Sequence, residues 1–377
     1  MGEPHRQHWT FPGAFATESG ASIESPTSAY ETWGALDAEG ANAVLLTTGL
    51  SPSAHAARHD PGDDPGWWEE MVGPGKALDT GRWFVVCANV LGGCHGSTGP
   101  ASPDPGTGAP YALRFPVITL RDIMRIQRAL LEALGVERLH AVVGSSMGGM
   151  LALEYAALFP GTVNRLIAIS ASGLTHPFAI ALRRVQRRAV MLDPAWKGGD
   201  YYGHDPPAAG LSLAREIGTI TYRSDLEWTR RFGRAWQDGE LHSLSGRFEI
   251  ESYLAHQGEK YARAYDANSY LYLSRAMDLH DLGRGRGGLE AAVGRITART
   301  LLIGVETDVL IPRFEIEELA RAFSAVGRPA ELHMLDLDTG HDSFLIHPDA
   351  FGSLVRRHLE APRLSSIRQH GAGGPLI

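Results

Sequence analysis

The run Gly144-Ser145-Ser146-Met147-Gly148 fits the pattern GxSxG with Ser146 at its centre. A buried strand pattern ends at Val143 and a helix pattern begins at Met147, which is the strand–turn–helix that lifts a nucleophile above a sheet. Glycines at 144 and 148 keep side chains out of so tight a turn. A serine hydroxyl is a weak nucleophile at neutral pH, so it needs a base, and the base needs a carboxylate to orient it. The chain order Ser, acid, His points to Asp308 in Glu306-Thr307-Asp308 and to His341 in Thr339-Gly340-His341-Asp342. Both follow predicted strands, at the ends where open parallel sheets bind ligands. Glu306 and Asp336 are the other carboxylates within reach of the orienting role, whereas His333 lies mid-strand and His347 adjoins Pro348. An oxyanion hole needs two backbone N–H groups: Met147, after the nucleophile, supplies one, and Leu50 in the loop Thr48-Gly49-Leu50-Ser51-Pro52 is the candidate for the other. These parts perform acyl transfer to water or to another acceptor.

The elements that must position them read as an alternating α/β chain. Apolar, β-branched runs at 41–50, 83–90, 138–143, 163–170, 299–305 and 330–336 predict strands, most of them buried on both faces. Leu120, Ile123, Ile126, Leu130, Leu131 and Leu134 recur at helical spacing over 119–135, with Gly135 at the expected C-cap. Further helices are predicted from 147 to before Pro160, after Pro312, and from Pro348 to about Glu360. Strands alternating with helices imply a mostly parallel, doubly wound sheet. The alternation stops at about 176 and resumes near 296. Residues 1–175 and 296–360 therefore read as two parts of one core, 176–295 as an inserted helical lid, and the Gly/Ser-rich 361–377 as a frayed tail.

The chain has 377 residues and a formal net charge of −8, with 44% hydrophobic and 21% charged residues, a composition that supports a large folded core. Without a cationic block, neither nucleic acid nor an anionic membrane is an expected partner. Two cysteines, Cys87 and Cys94, exclude a disulfide framework or a four-cysteine zinc site, and no metal is expected. The polar start Met1–Pro12 has no apolar leader core and no run is long enough to span a bilayer, so a cytoplasmic protein is expected.

Several separate segments then carry a specific likeness. Asn89 to Pro100 (NVLGGCHGSTGP), Phe115 to Asp122 (FPVITLRD), SMGGMLALEYA from Ser146, and in the insertion VQRRAVMLDPAWKGGDYYG, LAREIGTITYRS and YDANSYLYLSRAMDLHDL resemble the homoserine O-acyltransferases of methionine biosynthesis, from about residue 14 to 360. The resemblance implies an α/β-hydrolase fold with a helical lid, an acetyl group carried from acetyl-CoA to L-homoserine through an acyl-serine, no other cofactor, and a homodimer. By motif it places the nucleophile at Ser146, the acid at Asp308, the base at His341 and an oxyanion amide at Leu50. It also places acceptor-binding groups at Arg215, Tyr222 and Asp342. An amino acid presents a carboxylate, which suits the arginine's planar fork, and an ammonium, which suits the aspartate. Two departures stand out: GSSMGG replaces the usual GGSMGG, and Thr48-Gly49-Leu50-Ser51-Pro52 replaces His-Ala-Leu-Thr-Gly. After the acid, Val309-Leu310-Ile311-Pro312 is close to the pattern of acetyl users and lacks the Trp-Arg of succinyl users. Cys94 reads as a buried structural thiol.

Overall fold

A computed structural model describes residues 5–362. The segment 363–377, where most of the expected tail falls, lies outside the described residues. One eight-stranded sheet organises the chain. Its strands are β1 (Gln7–Thr10), β2 (Thr27–Trp33), β3 (Ala43–Thr47), β4 (Phe84–Ala88), β5 (Leu139–Ser145), β6 (Val163–Ile169), β7 (Arg299–Val305) and β8 (Glu331–Leu335). They lie in the order β1-β2-β4-β3-β5-β6-β7-β8. β2 runs antiparallel to both neighbours and the remaining pairs are parallel.

Alternation of side chains along each strand feeds two apolar layers, one on each face. Leu45, Val142, Leu166 and Leu302 enter one layer; Leu46, Val143, Ile167 and Ile303 enter the other. The first layer is covered by α1 (Leu120–Ala133) and α2 (Met147–Leu158), which supply Ile123, Ile126, Met150 and Leu151. A capping box starts α1, since the Thr119 N–H donates to Oδ2 of Asp122 at 3.0 Å while the Asp122 N–H donates to Oγ1 of Thr119 at 3.4 Å.

Between β6 and β7 the chain leaves the sheet. It forms α3 (Pro177–Leu192), α4 (Ala208–Tyr222), α5 (Asp225–Phe232), α6 (Glu249–Ala264) and α7 (Ala267–Asp278). A small hairpin, Trp236–Asp238 with Arg247–Phe248, sits between α5 and α6 and has no counterpart in the sequence reading. Helix α4 packs on both α3 and α6. The chain then returns through β7, α8 (Arg313–Ala325), β8 and α9 (Pro348–Glu360).

The predicted strands are all present; 299–305 matches its expected bounds, the strand expected at 138–143 runs on to Ser145, and the others are trimmed at one or both ends. The stretch expected at 41–50 stops at Thr47, so Thr48–Leu50 is already loop, where a loop-borne amide must be. The two N-terminal strands β1 and β2 were not read from the sequence. Among the described residues no helix is long and apolar enough to cross a membrane.

Candidate active site

Ser146 sits between β5 and α2 with φ 56° and ψ −125°, a conformation that L-residues avoid and that tight packing must hold in place. Its N–H donates to Ile169 O of β6 at 2.9 Å. The flanking glycines are required for space: a Cβ at Gly144 would lie 2.2 Å from Oγ1 of Thr47, and one at Gly148 would lie 2.3 Å from the Thr47 carbonyl. The Thr47 hydroxyl packs into this gap, 2.7 Å from Gly148 O and 3.1 Å from Val143 O. Strand β3, strand β5 and helix α2 are thus locked around the turn.

The three residues read from chain order meet here. Nε2 of His341 lies 2.8 Å from Oγ of Ser146, and Nδ1 lies 2.7 Å from Oδ2 of Asp308. The other carboxylate oxygen of Asp308 accepts the N–H groups of Leu310 and Ile311, both at 2.9 Å, which fixes its plane. Asp308 and His341 are both 3% exposed, so the pair is shielded from water. Burial pushes the His341 imidazole down, but the charge and hydrogen bond of Asp308 outweigh it, and the ring stands above the usual histidine value. Glu306 and Asp336 do not take the orienting position. Glu306 pairs with Arg313 at 2.8 Å. His333 pairs with Glu331 on β8. Beside Asp308, the buried Glu315 carboxyl is pushed up to about 7, chiefly by burial, with the Asp308 charge adding to it.

Above Ser146 opens a cavity of about 500 Å³, lined in part by Leu50, Trp67, Arg215, Tyr222, Leu310 and Asp342. Leu50 is held from the lid, because Tyr265 donates to its carbonyl at 2.6 Å. Met147 is the first residue of α2, so its N–H lies at the positive end of the helix. Arg215 on α4 is sandwiched between aromatic faces, its guanidinium 5.1 Å from the Tyr222 ring and 4.9 Å from the Tyr261 ring. Among the described residues no carboxylate forms an ion pair with it, so the edge of its fork is available to an anion. Asp342 faces the same cavity but is not free: Nε of Arg223 lies 3.3 Å from its Oδ2. Arg223 also pairs with Glu227 at 3.0 Å, and Arg231 reaches the same Glu227 carboxylate at 4.0 Å, so Asp342 shares its cation with a second carboxylate. Burial raises the Asp342 carboxyl, with Arg223 opposing.

With this geometry in view, the comparisons with known proteins are direct. Residues 42–348 match the family model for the alpha/beta hydrolase fold. A homoserine O-acetyltransferase of Moorella thermoacetica is 47% identical over 349 residues, covering 92% of this chain and 93% of its own. The chain belongs to the homoserine O-acyltransferase family of α/β-hydrolases. A serine O-succinyltransferase of Litchfieldella anticariensis is nearly as similar, 46% identical over 94% of this chain and 98% of its own. The crystal structure of esterase E22 superposes with a TM-score of 0.86 at 31% identity, covering 94% of this chain and 99% of that one. One scaffold therefore serves proteins named for different acyl donors and acceptors.

Within this family frame, the departures have a structural reading. Ser145 is the last residue of β5, in register with Ile169 and 2% exposed; it is ordinary strand backbone, so glycine is not required there. Gly49 has space around it, with a Cβ no closer than 3.6 Å to Pro52. Sequence reasoning missed Tyr261 and Tyr265. Tyr261 lies in the last turn of α6 and Tyr265 is its C-cap, four residues on with the rings stacked 4.8 Å apart; that spacing is the signal that was available, since one caps the Arg215 plane and the other grips Leu50. It also missed that Arg223 is committed to Glu227 and Asp342. Cys94 is partly buried, and burial pushes its thiol up to about 12, which fits a structural role.

Proposed function

We propose that this protein is a homoserine O-acetyltransferase acting in the methionine pathway of the cytoplasm. Ser146 Oγ attacks the acetyl carbonyl of acetyl-CoA while His341 Nε2 takes its proton, and the tetrahedral oxyanion is held by the Leu50 and Met147 N–H groups. Collapse expels the CoA thiolate, which receives that proton, and leaves acetyl-Ser146. In the second half-reaction His341 deprotonates the homoserine hydroxyl, the oxygen attacks the ester, and Ser146 recovers its proton. Asp308 fixes the imidazole and stabilises its charged form throughout. Acetyl-CoA is consumed as co-substrate, and no further cofactor enters.

The observation that carries this reading is the Arg215 guanidinium, without a carboxylate partner among the described residues, in the cavity above Ser146, with the Asp342 carboxyl on the same cavity wall. A simple esterase has no use for a cation caged for a carboxylate next to an anion suited to an ammonium. That pair fits an α-amino acid, which would occupy the place of water. The second reading is succinyl transfer to serine, favoured by Lys260, an exposed cation on the cavity wall with no ion pair among the described residues. Support for acetyl comes from the apolar Leu310 on the wall and from Arg183, whose Nε pairs with Asp278 at 2.7 Å. A matrix of acetyl-CoA and succinyl-CoA against L-homoserine, L-serine and water, followed by thiol release and product mass, tests it. O-acetylhomoserine is the expected main product; O-succinylserine as the main product would replace this reading by the second.

A homodimer joined through the lid belongs to the same proposal. Phe178, Val185 and Leu192 lie seven apart along α3 and Leu213 and Ile220 seven apart along α4, all exposed apolar residues that a second copy would cover. Light scattering should give a mass of two chains.

A further inference from the structure

Away from the cavity, three metal-type donors converge on the sheet. Glu31 lies in the middle of β2 with its side chain fully buried. Among the described residues no lysine or arginine pairs with it. Its Oε2 instead lies 2.9 Å from Nδ1 of His55 and 2.9 Å from Nε2 of His59. One donor atom from each of the three residues falls within 4.8 Å of the others. The second carboxylate oxygen, Oε1, is buried without a hydrogen-bond partner. A buried carboxylate with an orphaned oxygen is costly unless something positive completes it.

The two imidazoles are held as ligands are held. The His59 ring is stacked between Trp33, with centroids 4.8 Å apart and planes 9° apart, and His5, with centroids 4.2 Å apart. Nε2 of His55 lies 2.8 Å from the Asp64 carbonyl, the outer hydrogen bond that turns the opposite nitrogen toward a cation. Because both His55 nitrogens face oxygen acceptors, a neutral ring satisfies only one of them. The other contact needs either a second proton or a metal ion. Side-chain exposures of 11% for His55 and 15% for His59 leave a path from solvent.

We propose that Glu31, His55 and His59 bind one divalent transition-metal ion of the zinc class, with water completing the shell. Two imidazoles and a carboxylate suit that class and not the oxygen-seeking Mg²⁺ or Ca²⁺. The ion takes the place of the protons between the histidines and Glu31, and Oε1 gains a partner. Its role is to position and staple. The loop bearing both histidines begins at the cavity wall with Ser51 and Pro52 and ends at Trp67, whose indole N–H donates to Ser53 O at 3.1 Å. Binding ties this loop to β2 at its middle.

The test uses untagged full-length protein stripped with a chelator, then titrated calorimetrically with Zn²⁺, and with Co²⁺ as a spectroscopic probe. The wild type should take up one equivalent of Zn²⁺ with a Kd of about 1 μM or tighter, gain several degrees in Tm, and show Co²⁺ d–d absorption of a nitrogen/oxygen site. His59→Gln, a change at a partly exposed ring, should weaken uptake at least ~100-fold, the loss expected for a ligand. His204→Gln removes an exposed histidine of the inserted segment that touches none of the three donors, and should bind as the wild type does. Absence of uptake by the wild type at 100-fold excess of about 1 μM free Zn²⁺, or equal uptake by wild type and His59→Gln, would overturn the proposal by leaving the proton as the only occupant.

Discussion

The floor and the roof of the cavity are built on opposite principles. In the floor, β5 and α2 are buried almost to the last residue, the nucleophile turn is wedged by Thr47, and the Asp308 carboxylate oxygens have fixed partners. In the roof, α3, α4 and α6 are amphipathic and half-exposed, and Arg215 is held by ring faces in place of a carboxylate. The contrast teaches a division of labour. On the proposed function, the chemistry common to all acyl transfer belongs to the tightly packed floor, and the choice of acceptor belongs to the roof, where Arg215 has no carboxylate partner among the described residues. The floor leaves little room for change at the nucleophile turn and the Asp308 pair, while the half-exposed roof offers more positions that can be retuned.

The largest effect should come from the floor. Ser146→Ala removes the atom that carries the acyl group in both half-reactions, and transfer should fall at least ~10³-fold, read as thiol release, with no acetyl adduct by intact mass. An adduct that persists in the variant would place the nucleophile elsewhere. Ser145→Gly, one residue away on plain strand backbone, should change the rate only a few-fold.

Next comes the orienting carboxylate. Asp308→Asn should lower kcat on the order of 10³-fold and let the His341 imidazole fall from its raised value. The wild-type kcat/KM should lose activity on the acid side at a pH above the usual histidine value near 6.5, because the base must be neutral to act. That limb should move to lower pH in the variant. An unmoved limb would mean that His341 is not the titrating base.

The roof should respond differently. Arg215→Ala and Asp342→Asn should raise the homoserine KM by roughly 10- to 100-fold, the value of a lost charge-assisted contact, while acetylation of Ser146 by acetyl-CoA stays close to wild type. Equal damage to both half-reactions would erase the division between floor and roof. On the donor side, kcat/KM for acetyl-CoA should exceed that for succinyl-CoA by at least ~10-fold, since the apolar Leu310 offers nothing to a distal carboxylate.

The smallest effect is on stability. The carboxyl of Glu315 stands at about 7, above its ordinary value of 4.5, so the folded state holds its proton more tightly than the unfolded chain. That contribution is complete below about pH 4.5 and is lost as pH rises through 7. Glu315→Gln lacks the titration, so its Tm relative to wild type should improve by several degrees between pH 5 and pH 8 in a thermal melt. A constant difference would show that Glu315 does not titrate in this range.

The same contrast explains what could be read from sequence. Strands buried on both faces, such as β5 and β7, leave largely apolar runs, and the elbow's glycines and serine sit together between a strand and a helix pattern, so the core and Ser146, Asp308 and His341 were legible. Strand β2 carries Thr27, Ser28, Glu31 and Thr32 among its seven residues, which hid it, although Ser28 and Glu31 are buried. The hairpin at 236–248 is exposed and carries no apolar pattern. The likeness to a known family, not periodicity, pointed to Arg215, Tyr222 and Asp342. What surrounds them, the Tyr261 ring and the Arg223 pair, depends on how α4 and α6 meet, and only three-dimensional packing shows that.

The division of labour is tested most directly by isolating the acetyl-enzyme and chasing it with equimolar L-homoserine and L-serine in water, for wild type and Arg215→Ala, with products counted by mass. The wild type should deliver its acetyl group mainly to homoserine. Arg215→Ala, with the same acetylated floor, should release mostly acetate. An identical partition in the two proteins would contradict the account, because the acceptor would then be chosen without the roof.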